Sequence, residues 1–508
     1  MLSAMGTSLL FSNSLPEIGL SERGRHSKKS LLFLKSRRYS RGQTMDQLPV
    51  VFGPVLYIWY TMLEAKKMEI QGPTLIGKPH STSSGESTRD LTFALAGAGN
   101  RGQMFAEWVK ANVCSGGVKA VAEPDPRRRA LISEMHGIPS DRQFSSWQSM
   151  LSQPKLADIL LNTTMDRDHV DSAIEGMRAG YHMLLEKPMA TTLADCAKIN
   201  AVRRETNRIV SICHSLRYHP VYTEVRRIIR SGLIGEIVCL DQLEAVELVH
   251  QSHSFVRGNW GNEERSAFML LAKSCHDLDI IADLVDRTCQ KVHSFGSLTY
   301  FRPENQPVGA PDRCVDGCPV EVSCPFFAVR LYGQGTGWGA AAGFAGLSHE
   351  ESRELLKTSP FGKCVFKTDN DVVDHQVVSM EFEGGVNATF TMTAFTPTGG
   401  RRLRVHGTKG YLEAAVDDNT IDLWEFWHNN KQSRITVSES VGSHGGADSI
   451  VMQSLTSAVA MGDPTSVLTG TYESLRSHAV VFAAERSRLE GRLVPVSEVL
   501  EEVGEKLC

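Results

Sequence analysis

The sequence predicts an α/β chain whose N-terminal domain is built on a parallel sheet and whose C-terminal α+β domain carries a large, mainly antiparallel sheet. Three observations lead there. From Leu91 to His214, short apolar runs alternate with amphipathic segments of helical length, the pattern of strands covered by helices on both faces. The first run passes directly into Gly97-Ala98-Gly99-Asn100-Arg101-Gly102, a G-x-G-x-x-G between strand and helix. Beyond about residue 215 the alternation stops, and longer strand-like stretches follow one another with turn signals between them.

Length and composition set the bounds. A chain of 508 residues allows two to four domains, each able to bury a core. With 22% charged residues and a net charge of −4 there is no basic footprint for nucleic acid. Eleven cysteines, an odd number spread through strands, helices and loops, read as reduced thiols of a cytoplasmic protein. Residues 1–88 read as an extension, disordered or wrongly assigned, with Met68 as a natural start; 89–214 is expected to be the first domain and 215–508 the second. The apolar run Leu48–Leu63 has 16 residues, short of the roughly 20 a spanning helix needs, so a membrane anchor is disfavoured.

In chain order, Leu91–Ala96 is the first strand and QMFAEWVKAN (103–112) the helix after the glycine loop. Gly97 permits the tight turn, Gly99 lets the backbone approach a pyrophosphate, and Gly102 allows close helix–strand packing, while the helix start offers free N–H groups. Gly97, Gly99, Asn100, Arg101 and Gly102 are therefore expected to bind a dinucleotide. Residues 118–125, 156–164, 181–188 and 208–214 read as further strands, with helices through AIEGMRAG and LADCAKINAVRRE. Ligand-binding residues in such a sheet gather just past the carboxyl ends of strands, where Glu123, Asn162 and Glu186-Lys187-Pro188 fall. Glu123, 26 residues after Gly97, is placed to take adenosine ribose hydroxyls and favours NAD. The neighbouring Arg127-Arg128-Arg129 offer guanidinium groups to a 2′-phosphate, which keeps NADP open, or form a solvated helix face. In the second half, HQVVSMEFEGG, VNATFTMTAF, RRLRVHGTKGYLEAA and TIDLWEF read as strands, and Ala447–Met461 and Ser474–Gly491 as helices.

The combination AGAGNRG, VAEPDP, LNTTMDRDHVDSAIEGMRAGYHMLLEKPMATT and LRYHPVYTEVRRIIRSGLIGEIV resembles the glucose-fructose oxidoreductase and inositol dehydrogenase family (Gfo/Idh/MocA) from residue 91 to the C-terminus. The resemblance implies a Rossmann domain, a second domain whose sheet carries the substrate, an active site between them, and homo-oligomers formed through that sheet. It also places Lys187 of Glu-Lys-Pro beside the nicotinamide and the reacting hydroxyl, and Glu186 with the cofactor. A Lys near a cationic nicotinamide has a lowered pKa and can orient an alcohol or assist proton transfer. His276 is the implied general base, since its pKa lies near working pH. Many members carry an Asp four residues before this His; here that place is Ala272, and Lys273, three residues before His276 and so on the same helical face, is the candidate electrostatic substitute.

Tyr218 and His219 match a position bordering the cleft, and HQSHSFVRGNW, with His250, His253, Arg257, Asn259 and Trp260, is a polar and aromatic group of the kind that binds sugars. His375 and His444 are further cleft candidates. Each of these residues has a structural alternative as a satisfied core or turn side chain. Cys314, Cys318 and Cys324, with Cys364 after them, supply four thiols for a structural zinc site, or remain free. The leading expectation is NAD(P)-dependent hydride transfer to or from a secondary alcohol of a sugar, cyclitol or related polyol. Transient oxidation serving glycoside hydrolysis or elimination, and a nucleotide-binding sensor subunit without catalysis, are the alternatives.

Overall fold

The computed structural model describes residues 91–113, 116–438 and 443–506; the 1–88 extension, its apolar run and Met68 lie outside the described residues. The first sheet contains β1 (Phe93–Ala96), β2 (Val118–Ala122), β3 (Gln143–Phe144), β4 (Ile159–Asn162), β5 (His182–Leu185) and β6 (Val210–Ile212). All its pairings are parallel and the order is β3-β2-β1-β4-β5-β6, so the strand order reverses between β1 and β4. The crevice at that reversal is where open α/β sheets bind ligands, and the glycine loop leaves β1 there. β1 is wholly buried because helices cover both of its faces.

Four helices of ten residues or more, with the short Trp147–Leu151 beside them, alternate with these strands. α1 (Asn100–Asn112) buries Phe105, Ala106 and Val109. α2 (Pro126–His136) starts on the Asp125 carboxylate, which accepts from the Arg127 N–H, and stops at the left-handed Gly137. α3 (His169–Arg178) and α4 (Leu193–Thr206), the latter capped by Thr192, complete the set.

After α5 (Pro220–Arg230) comes a nine-stranded sheet, with α6 (Cys275–Val285) inserted between its first two strands in sequence. The strands are β7 (Ile237–Ala245), β8 (Cys289–Ser297), β9 (His375–Phe382), β10 (Asn387–Thr393), β11 (Gly400–Gly407), β12 (Gly410–Ala415), β13 (Thr420–Glu425), β14 (Lys431–Thr436) and β15 (Val494–Pro495). Their order is β14-β13-β12-β11-β7-β10-β9-β8-β15, antiparallel throughout except where β10 runs parallel to β7. The run RRLRVHGTKGYLEAA, expected as one strand, is a hairpin turning at Thr408-Lys409 between β11 and β12. Gly407 and Gly410 flank the turn because a Cβ at either would press on Ile234.

Two C-terminal helices tie the halves together. α7 (Ala447–Met461) lies beyond the expected domain boundary at 214, yet Ala447, Val451, Met452 and Leu455 share a core with Phe93, Leu95, Phe105 and Val109. Trp108 donates its indole N–H to the Ser449 hydroxyl at 2.8 Å across the same contact. α8 (Thr471–Glu490) packs Leu475, Ala479, Val481 and Ala484 into the core shared by both sheets, and the His478 Nε2 accepts the Met189 N–H at 3.0 Å. Residues 298–374, between β8 and β9, form an insertion with two small apolar clusters, one of them completed by Val256 and Ala394.

Candidate active site

The glycine loop has the shape the motif requires. Gly97 has φ +88°, and a side chain there would meet the Thr163 carbonyl; one at Gly102 would run into the Gly97 carbonyl oxygen. At Gly99 a Cβ would meet nothing within 4 Å, so the backbone faces open space at the N-terminus of α1, and Asn100 stands exposed at the helix start. This donor set fits a pyrophosphate. Glu123, at the end of β2, accepts the Ala98 N–H at 2.6 Å and the Asp125 N–H at 3.0 Å, which fixes its carboxylate against the loop with lone pairs left for hydroxyl donors. Arg129 donates to the Glu123 carbonyl oxygen, which brings one guanidinium to the same strand end, while Arg127 extends into solvent.

Three expected cofactor residues act differently. Asn162 is fully buried, donating to the Ser172 hydroxyl at 2.8 Å and accepting from Thr164 at 2.9 Å, so its side chain braces α3. The Arg101 guanidinium turns inward, pairing with Glu186 at 2.6 Å and with both carboxylate oxygens of Asp448 at 2.8 and 2.9 Å. It neutralises two buried carboxylates and has no free charge to give a phosphate. Glu186, held by Arg101 and by the Lys187 N–H at 3.0 Å, serves as a bracket behind Lys187.

Lys187 lies past β5, and its ammonium donates to the Ala272 carbonyl oxygen at 2.7 Å. The position that carries an Asp in the resemblance thus contributes a backbone carbonyl. His276, in the first turn of α6, is 4% exposed, and its Nδ1 has no hydrogen-bond partner. Burial, then the positive field of Lys187 with His214, His444 and Arg401 around it, pushes its pKa well below 6.5. Lys273 does not share a helical face with His276: it sits at the break between the short helix Met269–Ala272 and α6, and its ammonium pairs with Glu244 at 3.0 Å. The expected substitution for the missing Asp is therefore not made, because this cation already has a carboxylate.

Behind these residues β7, β11 and α6 assemble a buried charge network. Arg401 meets Asp277 at 2.7 Å and Glu244 at 2.6 Å, and Gln242 donates to Asp277 at 2.6 Å. His250, lowered to about 3 by burial and by Lys273, His253 and Lys187, places an imidazole against the same group, with the Trp338 ring 5.4 Å from its own. Glu244 and Arg401 escaped the sequence reading because they lie on separate strands with no motif shared with His276. His214 escaped too: it lies just past β6, fully buried, its ring 5.6 Å from His276.

The remaining candidates divide. His219 borders this group, capping α5 through Nδ1, and burial lowers it to about 4. Tyr218 is buried in the first-domain core and its hydroxyl accepts the Leu468 N–H at 2.8 Å, so it is structural. Arg257 is buried against the insertion, donating to the carbonyls of Lys363 and Phe326 at 2.8 Å each, while its Nη1 has no partner. Trp260 donates to Asp166 at 3.1 Å and packs on the core, and the buried Asn259 Nδ2 has no partner. His253 stacks on Phe361 with ring centroids 4.8 Å apart, and His375 pairs with Asp374 at 2.8 Å. Cys314, Cys318, Cys324 and Cys364 do line one small cavity, but they are free thiols, and among the described residues no three ligating side chains could hold a metal ion. The Arg257 guanidinium stands 3.6 Å from the Cys314 sulfur in that wall, and the expected zinc site is not shown among the described residues.

Over residues 91–214 the chain matches an oxidoreductase family with an NAD-binding Rossmann fold, and over 226–496 the C-terminal alpha/beta domain of the same family. It is 22% identical over 362 residues to YteT of Bacillus subtilis, covering 66% of this chain and 81% of that one. To inositol 2-dehydrogenase of Salmonella typhimurium it is 29% identical over 128 residues, 25% of this chain and 38% of that enzyme. Among solved structures, levoglucosan dehydrogenase in complex with NADH and levoglucosan superposes with a TM-score of 0.60 at 16% identity, covering 80% of this chain and 99% of that one. An oxidoreductase from Agrobacterium radiobacter in complex with NAD+, L-tartaric acid and magnesium gives 0.59 at 15% identity, covering 81% and 100%.

Proposed function

The chain belongs to the Gfo/Idh/MocA oxidoreductase family, and from that premise we propose that it transfers a hydride between a nicotinamide cofactor and a secondary alcohol of a sugar, cyclitol or related polyol. One observation carries the reading: the Lys187 ammonium, delivered from the dinucleotide-binding sheet, is fixed on the Ala272 carbonyl at 2.7 Å, one turn before His276. A nicotinamide dinucleotide held by the glycine loop and Glu123 would supply the acceptor or donor of the hydride. Lys187 donates a hydrogen bond to the substrate oxygen and holds the carbon in line, and His276, neutral in the free site, takes the hydroxyl proton. Glu123 receives the adenosine ribose, which favours NAD, and Arg129 at the same strand end leaves NADP as the alternative.

His219, His250 and the Glu244–Asp277–Arg401 network form the substrate wall in this reading. Its charges are mutually compensated, which suits a neutral, hydroxyl-rich ligand. Assembly through the second sheet is part of the same proposal: Phe295 and Val377, paired across β8 and β9, are 67% and 39% exposed on its open face. The free thiols fit a reducing cytoplasm, and among the described residues no helix is long and apolar enough to cross a membrane.

The test is to purify the protein, identify nucleotide released on denaturation by mass, and screen sugars and polyols for absorbance change at the nicotinamide band. Reduction of bound NAD+ that disappears in Lys187→Ala is expected. Bound nucleotide with glycoside cleavage and no net reduction would replace the dehydrogenase by a transient-redox hydrolase, and failure to bind any nicotinamide dinucleotide would sink both.

A further inference from the structure

We propose that His444, oriented by Asp448, is the group to which His276 hands its proton, so that the two imidazoles work as a relay; this rests on the dehydrogenase reading above. The His444 Nδ1 lies 2.9 Å from an Asp448 carboxylate oxygen in the first turn of α7. Asp448 is buried and receives both terminal nitrogens of Arg101, so it is ionised and acts only as an acceptor. Nδ1 of His444 therefore carries the hydrogen, and Nε2 is left as the basic nitrogen. The ring centroids of His444 and His276 are 5.7 Å apart, close enough for transfer directly or through one water.

The surroundings explain why a second imidazole is needed. His276 has Lys187, His214 and Arg401 about it and no carboxylate in hydrogen-bond contact, so an imidazolium there is disfavoured and a proton it accepts must move on. Among the imidazoles near it, His214 is unpartnered and His219 has its Nδ1 on the Val221 N–H, whereas His444 has a carboxylate. His444 is also 34% exposed at its side chain, which gives the proton an exit to water. Its backbone is held at φ +49°, unusual for a residue with a side chain, and the following Gly445 lies so close to the His219 ring that a Cβ would collide with it. The groups facing His444 are Asp448 and Arg101, His276 and His219. As the hydride leaves the carbinol carbon for the oxidised nicotinamide, the O–H bond breaks and C=O forms. The proton passes to His276, then to His444 Nε2, then to water, and Asp448 steadies the imidazolium without taking the proton.

Two measurements on the full chain test this. With 15N-histidine labelling, the His444 signal, assigned by its loss in His444→Gln, is expected to show protonated Nδ1 and basic Nε2 in the wild type, and to lose that single-tautomer signature in Asp448→Asn. A protonated Nε2 in the wild type, or the same tautomer in Asp448→Asn, overturns the proposal. With an alcohol that the wild type oxidises, His444→Gln is expected to lower kcat by about 10- to 100-fold, shift the pH profile, leave the KM for NAD+ within about twofold, and recover in part on adding imidazole. An unaltered rate and pH profile in that variant overturns the relay alone, whereas a wild type that oxidises no alcohol overturns the reading on which it rests.

Discussion

At the scale of residues, the chemistry turns on how few charges are left free. Arg101, Lys273 and Arg401 are cations that could have met a ligand, and each is matched by Glu186, Asp448, Glu244 or Asp277. Lys187 is bonded to a neutral carbonyl, so unlike those three its charge has no hydrogen-bonded carboxylate. Lys187→Ala is expected to lower kcat/KM by at least about 100-fold while NAD+ still binds, as measured by fluorescence titration. The buried histidines carry a second prediction. His478 accepts the Met189 N–H through Nε2 and donates from Nδ1 to the Ser474 carbonyl, and burial holds its pKa down at about 3. Its neutral form is the folded one, so stability is full above the unfolded value near 6.5 and is lost as pH falls towards 3. At pH 5 the loss is about 2 kcal/mol for this group, and denaturant titrations of His478→Gln should show a shallower decline between pH 6.5 and 4.

At the scale of elements, the glycine loop separates fold from ligand. A Cβ at Gly102 strikes the Gly97 carbonyl, so Gly102→Ala is expected to destabilise by about 1–3 kcal/mol in denaturant melts. Gly99→Ala has open space before it and should unfold as the wild type does, yet bind dinucleotide at least about 10-fold more weakly because its methyl stands where the pyrophosphate approaches. Strand and helix identities in residues 91–214 were legible from sequence because each β–α unit is local, and apolar runs bounded by turn residues mark it. The hairpin at Thr408-Lys409 was not, since Arg401–Ala415 alternates through the turn without an Asn-Gly or Asp-Gly signal. β14 was missed because KQSRIT is a mostly exposed edge strand with little apolar pattern.

At the scale of the molecule, α7 and α8 return from the C-terminal part of the chain to complete cores shared with the first sheet. Calorimetry should therefore show one cooperative transition for the folded body, and two separated transitions would show that the halves are stable independently. Arg217 is a clasp between them: it joins the turn after β6 to Asp279 of α6 at 2.7 and 2.8 Å and to the Leu468 carbonyl at 3.1 Å. Arg217→Ala leaves Asp279 buried without its partner and is expected to cost about 3–5 kcal/mol in that same transition.

The sequence by itself determined the dinucleotide loop, the parallel sheet behind it and the antiparallel second domain, while its resemblance to a family pointed to Lys187 and His276 as the candidate catalytic pair. These are short-range patterns: a spacing of glycines, a period of apolar residues, a tripeptide at a strand end. Only the tertiary structure decided that Arg101, Asn162, Tyr218, Arg257 and Lys273 face inward to protein partners, that four thiols share a wall with a guanidinium, and that Asp448 and His444 come back to stand beside His276. The reason is physical: a polar side chain is assigned by the partner that satisfies it. Here those partners lie on other elements, most of them tens to hundreds of residues away, where no local periodicity reports them.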